Sequence, residues 1–275
     1  MRRRSEIYQR LQSGPLILAD GAMGTMLQQA GLPVGTPSAP WTLSHSAQVA
    51  AVHAVYVAVG CELVLTNTLN AHESIVYTQQ GIDLNEAAVR LARQSGARFV
   101  AGSLGPGAGE SQVAALLRAG VDLLWLETQL NLAETLQSVA ICQDISTLPL
   151  VVTFSFHREN GRTHVGESAA EVARTLEAAG VTAVGLNCGN GLQGIAARLT
   201  EMSTACSLPL ALKPNAGLPA LEAQGWASEL AALLTPRVRL LGGCCGSTPT
   251  HLAVLKQLYF HRTHEVLPIA KHPNS

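Results

Sequence analysis

Short apolar runs alternate with Ala- and Leu-rich amphipathic stretches along the whole chain, and this rhythm constrains the fold more than any single residue does. The runs are Leu16–Asp20, Leu63–Thr68, Phe99–Leu104, Leu123–Thr128, Leu150–Phe156, Ala183–Cys188, Leu210–Pro214 and Leu240–Cys244. Being short and rich in Val, Leu and Ile, they predict strands buried on both faces. Helices are predicted near Gln48–Val59, Asn85–Ser95, Gln112–Ala119, Ala133–Asp144, Ala169–Ala179, Leu192–Ala205, Trp226–Leu234 and Pro249–Leu258. Strict alternation demands a parallel sheet covered by helices. Eight such units in 275 residues fit a closed (β/α)8 TIM barrel better than an open doubly wound sheet. The expectation is a single α/β domain over 1–275, with a barrel core of about 14–258 and a polar tail at 259–275. The surplus chain lies in the long loop from Gly21 to Leu43.

Composition narrows the partners. With 18 Lys and Arg against 19 Asp and Glu, the net charge of −1 provides no field for phosphate backbones or acidic membranes. Aromatic residues make up 4%, too few for base-stacking platforms, so no nucleic-acid partner is expected. No window approaches the roughly 20 apolar residues of a membrane span. Met1-Arg2-Arg3-Arg4 resembles the start of a secretion leader, but Ser5-Glu6-Ile7-Tyr8 follows without an apolar segment, so a cytoplasmic location is expected. In that compartment the six cysteines read as core residues, metal ligands or nucleophiles rather than as disulfides.

Barrels of this kind carry chemistry at the C-terminal ends of their strands, where the βα loops converge. Those positions hold Asp20-Gly21, Thr66-Asn67-Thr68, Gly102-Ser103, Glu127-Thr128, Thr153 with Ser155, Asn187-Cys188, Pro214-Asn215 and Gly243-Cys244-Cys245-Gly246. Polar or sulfur-bearing groups thus close all eight strands. Cys188 ends the sixth strand, and Cys244 with Cys245 ends the eighth. Three thiolates meeting at one point suit Zn²⁺, which takes sulfur in tetrahedral geometry. Small buried hydrophobes are the other reading of these cysteines, and spacing alone leaves both open. Cys61, Cys142 and Cys206 read as packing residues.

The stretches ADGAMGTMLQQAG, LTNT, AGSLGP, WLETQLNLAE, GLNCGNG, KPNAGLP and GGCCGSTPTHL resemble the homocysteine S-methyltransferase family in order and content, from Asp20 to Leu252. KPNAGLP is most similar to the homocysteine-binding module of cobalamin-dependent methionine synthase. The resemblance implies one Zn²⁺ per chain on Cys188, Cys244 and Cys245, with homocysteine as the methyl acceptor and methionine as the product. It implies that Glu127 takes the amino group and that Ser103 and the backbone around Asp20, Gly21 and Ala22 hold the carboxylate end. Asn215 would stand beside the metal and fill its open position until substrate arrives, and Thr66 is a further candidate contact. A zinc-bound thiolate would then attack the methyl donor without a general base. No stretch resembles a folate- or cobalamin-binding module, so the donor is expected to come from elsewhere, a separate corrinoid protein among the candidates. Other readings are a corrinoid-system methyltransferase or demethylase with another thiol acceptor, and a non-catalytic zinc- or thiol-binding subunit. One departure stands out: after Gly105-Pro106 the chain passes through Gly107-Ala108-Gly109 straight into a predicted helix, where the family usually has a longer segment.

Overall fold

Every predicted apolar run supplies a strand: β1 (Ile17–Leu18), β2 (Leu63–Leu65), β3 (Phe99–Leu104), β4 (Leu123–Gln129), β5 (Leu150–Phe154), β6 (Ala183–Cys188), β7 (Leu210–Pro214) and β8 (Val238–Leu241). The computed structural model describes residues 2–71, 79–157, 159–189, 191–217 and 219–265. All strand pairs are parallel, in the order β1-β8-β7-β6-β5-β4-β3-β2. The ring is closed by an Ala19–Leu63 bridge, where Asp20 N donates to Leu63 O at 2.9 Å and Glu62 N to Leu18 O at 2.8 Å. The fold is a single-domain (β/α)8 barrel.

Helices fill the connections: α1 (Arg2–Ser13), α2 (Gly24–Gln29), α3 (Trp41–Ser44), α4 (Ser46–Ala58), α5 (Gln79–Gln94), α6 (Glu110–Ala119), α7 (Leu132–Ile145), α8 (Ala169–Ala178), α9 (Ile195–Ala205), α10 (Ala223–Ala232) and α11 (Pro249–Glu265). None of them is long and apolar enough to cross a membrane. Local chemistry moves several boundaries from their expected places. The second run stops at Leu65 because two threonines take over the ladder: Thr66 Oγ1 accepts from Ser103 N at 3.0 Å, and Thr68 Oγ1 donates to Ser103 O at 2.6 Å. Glu222 accepts from the amides of Gln224 and Gly225, so α10 starts at Ala223 instead of Trp226. The tail expected from 259 continues α11 as far as Glu265, and 266–275 lie outside the described residues.

Three helices had no counterpart in the apolar rhythm: α1, and the short α2 and α3 within the loop from Gly21 to Leu43. Of these, α1 matters most to the architecture. Its Ile7 and Leu11 are fully buried in the cluster that fills the barrel, beside Ile17, Leu63, Phe99 and Trp125. Burying each such side chain contributes on the order of 1.5–3 kcal/mol. Outside this cluster a larger one joins the alternate strand residues, such as Leu18, Val64, Val100 and Leu124, to the helices. Cys61, Cys142 and Cys206 are all buried, as packing residues should be.

Candidate functional site

Period-2 alternation carries the inward-facing series past its apolar layers. Beyond Ala101, Trp125, Gly185 and Ala211 come Ser103, Glu127, Asn187 and Lys213, four polar side chains buried at the upper end of the barrel. Each has its own partner. Lys213 Nζ lies 2.5 Å from Asp20 Oδ1, and the two side chains are 3% and 4% exposed. The other Asp20 oxygen accepts from Leu65 N at 2.9 Å. Ser103 Oγ donates to Glu127 Oε1. Beneath them the Trp125 ring sits 5.7 Å from the Lys213 ammonium, and its indole N–H donates to Thr153 Oγ1 at 3.0 Å.

Burial pushes the Glu127 carboxyl above the ordinary carboxylate range, against the pull of Lys213 and of the Ser103 hydroxyl. For Lys213, burial alone would lower the ammonium's pKa, but the Asp20 and Glu127 carboxylates reverse that and raise it. Lysine is therefore a firm cation here. Above this layer opens a cavity of about 250 Å³ lined by Asp20, Thr66, Ser103, Glu127 and Lys213, with Cys244 and Cys245 in its wall.

The Sγ atoms of Cys188, Cys244 and Cys245 all lie within 4.8 Å of one another, and the three residues are half-buried. Among the described residues no other trio of His, Cys, Asp or Glu gathers in this way. Strand β7 lies between β6 and β8, so the cysteines reach each other across the end of β7. Cys188 does so by leaving strand geometry: its φ is 58°, in the left-handed region that costs an L-residue roughly 1–2 kcal/mol. Thr128, at the end of β4, takes the same turn with φ 57°. Asn187 fastens it there, accepting from Thr128 N at 2.8 Å and donating to Thr128 Oγ1 at 2.7 Å. One residue pair thus links the strand end bearing Glu127 to the one bearing Cys188.

Cys244 and Cys245 are set by a web of backbone bonds. Gly243 N donates to Asp20 O at 3.1 Å, Cys244 N to Pro214 O at 2.8 Å, and Ala216 N to Cys245 O at 2.9 Å. Gly246 then turns with φ 80°, and a Cβ there would stand 2.0 Å from Gly217 O. Gly246→Ala is expected to displace Cys245 and to weaken metal retention about 10-fold or more, although Gly246 offers no ligand atom. Metal analysis of the purified variant checks this.

The three thiols hydrogen-bond to one another, which raises some and lowers others, and burial adds to the result. Cys188 is pushed up to about 11 and Cys245 to about 12, and Cys244 is raised as well. Without a cation, all three are neutral at pH 7. Sulfurs gathered this closely suit a tetrahedral metal, for which a Zn–S bond of about 2.3 Å puts sulfurs about 3.8 Å apart. Asn215 supports the same fit. Its Nδ2 donates to Gly189 O at 2.7 Å, next to Cys188, while its Oδ1 is buried without a partner among the described residues.

The remaining candidates are placed as follows. Gly21 and Ala22 line the cavity, but the Ala22 amide already donates to Ser247 Oγ at 3.1 Å. The Thr66 hydroxyl faces Thr68 Oγ1 at 2.7 Å besides bonding β3. Sequence reasoning missed Lys213, Asn187, Ser247 and Tyr56. The Tyr56 hydroxyl reaches the carbonyls of Ala22 at 2.9 Å and Ser247 at 3.1 Å and so props the first strand end. For Lys213 a signal existed: a charge two residues beyond Ala211 in an otherwise apolar strand must point inward and needs a partner.

Comparison with known proteins agrees with this geometry. The family model described as homocysteine S-methyltransferase matches residues 17–259. Methionine synthase of Mycobacterium leprae is 28% identical over 286 aligned residues, which cover 86% of this chain and 24% of that protein. Its Mycobacterium tuberculosis counterpart is 27% identical with the same coverage, so the chain spans about a quarter of the length of these relatives. Among solved structures, the metallated form of the homocysteine methyltransferase MmuM from Escherichia coli superposes with a TM-score of 0.78 at 26% identity, covering 92% of this chain and 99% of that one. Its apo form gives 0.75 at 28% identity, covering 90% and 99%. The chain belongs to the homocysteine S-methyltransferase family.

Proposed function

We propose that this chain transfers a methyl group to the thiol of homocysteine, giving methionine, with one Zn²⁺ held by Cys188, Cys244 and Cys245. The observation that carries the reading is the meeting of three Sγ atoms within 4.8 Å of one another, two of the cysteines standing in the wall of the cavity that contains Glu127. When bound, zinc supplies a Lewis acid that draws the proton from an entering thiol and leaves its sulfur reactive towards a methyl group. The chain's own residues position that thiol. Glu127, oriented by the Ser103 hydroxyl, takes the amino group of the amino acid, and the backbone at Gly21 and Ala22 takes the carboxylate end. Using the Ala22 amide requires it to leave Ser247, which also donates to Cys244 O at 2.7 Å. Asn215, whose Nδ2 holds Gly189 next to Cys188, would offer the metal its Oδ1, which has no partner among the described residues. With a thiol acidified in this way, the chain would need no general base of its own.

The connection Gly105–Gly109 runs directly from β3 to α6, with Gly105 packed on Leu69 of the cavity lining, and the cavity is the proposed approach for a bulky donor such as a corrinoid carried on a separate protein. The test is zinc quantification followed by a donor screen with homocysteine. One zinc per chain is expected, with turnover on methylcobalamin or a methylated corrinoid protein. Turnover on small sulfonium donors alone would refute the bulky donor, and absence of metal would refute the zinc site.

A further inference from the structure

Lys213 is the residue at the cavity that the reaction as described leaves without work. It is 3% exposed, sits on the Asp20 carboxylate, and faces the cavity that holds Glu127. A buried lysine is costly to keep charged, so its presence on an inward position of β7 calls for a reason. Counting the charges gives one. With both carboxylates ionised, the buried layer of Asp20, Glu127 and Lys213 would sum to −1, and without Lys213 to −2. His53, which also feels Asp20, is held down to about 4 by burial and adds nothing at neutral pH.

The two carboxylates are not equivalent. Asp20 is spoken for, with Leu65 N on one oxygen and Lys213 on the other. Glu127 receives Ser103 on Oε1, and no described residue donates to its Oε2. We infer that Lys213 is a positioning residue that pairs with Asp20 and faces Glu127 across the cavity, so that it favours the carboxylate form of Glu127 and makes the site selective for thiols bearing an ammonium group. Without Lys213, two carboxylates would share a buried layer with no cation, and one would take up a proton. Asp20 keeps the Leu65 amide, which can only donate and so favours the anion, whereas the Ser103 hydroxyl on Glu127 can turn and accept, so Glu127 is the one that would be neutralised. This inference rests on the homocysteine reading above, and the experiment keeps the two apart.

The experiment measures zinc content and calorimetric affinity for three thiols in wild type, Lys213→Met and the double variant Asp20→Asn/Lys213→Met. The thiols are homocysteine, 3-aminopropane-1-thiol, which lacks the carboxylate, and 4-sulfanylbutanoate, which lacks the amino group. Lys213→Met is expected to keep its zinc and to weaken both amino-bearing thiols by roughly 10- to 100-fold, the span of a charge-assisted hydrogen bond, while 4-sulfanylbutanoate is unchanged. The double variant restores a layer charge of −1, and its asparagine can still accept from Leu65 N, so it is expected to recover most of the lost affinity. It also serves if the single variant does not fold. Equal weakening of homocysteine and 4-sulfanylbutanoate would overturn the inference, because Lys213 would then meet the carboxylate itself. So would a double variant no better than the single one, or a wild type indifferent to the amino group. A wild type that prefers 3-aminopropane-1-thiol to homocysteine, with that preference lost in Lys213→Met, would uphold Lys213 and refute homocysteine.

Discussion

Cys245→Ala, or equally Cys244→Ala, is expected to lose its zinc on purification and to fall to background turnover. Among the described residues the cluster consists of three sulfurs and no further His, Cys, Asp or Glu, and an amide oxygen such as that of Asn215 grips a metal less firmly than a thiolate. Loss of an outer-shell partner alone weakens metal sites 10- to 100-fold, so loss of a direct ligand is expected to exceed about 100-fold. The fold itself should survive. The cysteines lie above the apolar layers, half-exposed, and the barrel core of Trp125, Phe99 and their neighbours does not include them. Metal content and a thermal melt on the same sample separate the two effects; a melt collapsing along with zinc loss would make the site structural. Because the free thiols titrate far above neutrality, loading must release protons, and zinc retention should weaken as the pH falls.

Glu127→Gln is expected to raise KM for homocysteine about 10- to 100-fold while zinc content stays at one per chain, because the amide cannot pair with an ammonium as the carboxylate does. Stability should move the other way. The folded-state pKa of Glu127 lies above its unfolded value, so the native state holds its proton more tightly than the unfolded one. Its contribution is then fully present below the unfolded pKa and is lost as the pH rises through the folded one. Once the pH has risen through the folded pKa, the ionised carboxylate costs stability, and glutamine removes that cost. A variant that binds homocysteine normally would show that the amino group is taken elsewhere. A melt far below wild type would show that Glu127 holds the barrel together instead.

How far the fold was legible follows from where the signal lies. Alternating apolar runs report burial on both strand faces, and they placed β3, β6 and β7 to the residue, from Phe99 to Leu104, Ala183 to Cys188 and Leu210 to Pro214. Strand ends were misjudged where side chains do the bonding, as with Thr66 and Thr68, since a hydroxyl that replaces a ladder partner looks like any strand threonine. The helix α1 was missed for a different reason. Its Ile7 and Leu11 bury into a barrel interior that exists only after the strands have closed, and two apolar residues in a basic, polar stretch announce nothing alone. Within the site, Cys188, Cys244, Cys245, Ser103 and Glu127 were readable because strand ends are where a barrel keeps its reactive groups. The Asn187–Thr128 clamp was not, because a left-handed threonine has no signature in sequence.

The seam between β1 and β2 carries a further consequence. Only an isolated bridge joins these strands, yet the Asp20 carboxylate reaches across to Leu65 N while Lys213 of β7, two strands along from β1, holds it from inside the barrel. One side chain acts as a rivet through the cylinder wall, and its anchor is the same cation that governs charge in the cup above. Closing the cylinder and setting the electrical character of the vessel it forms thus share one contact.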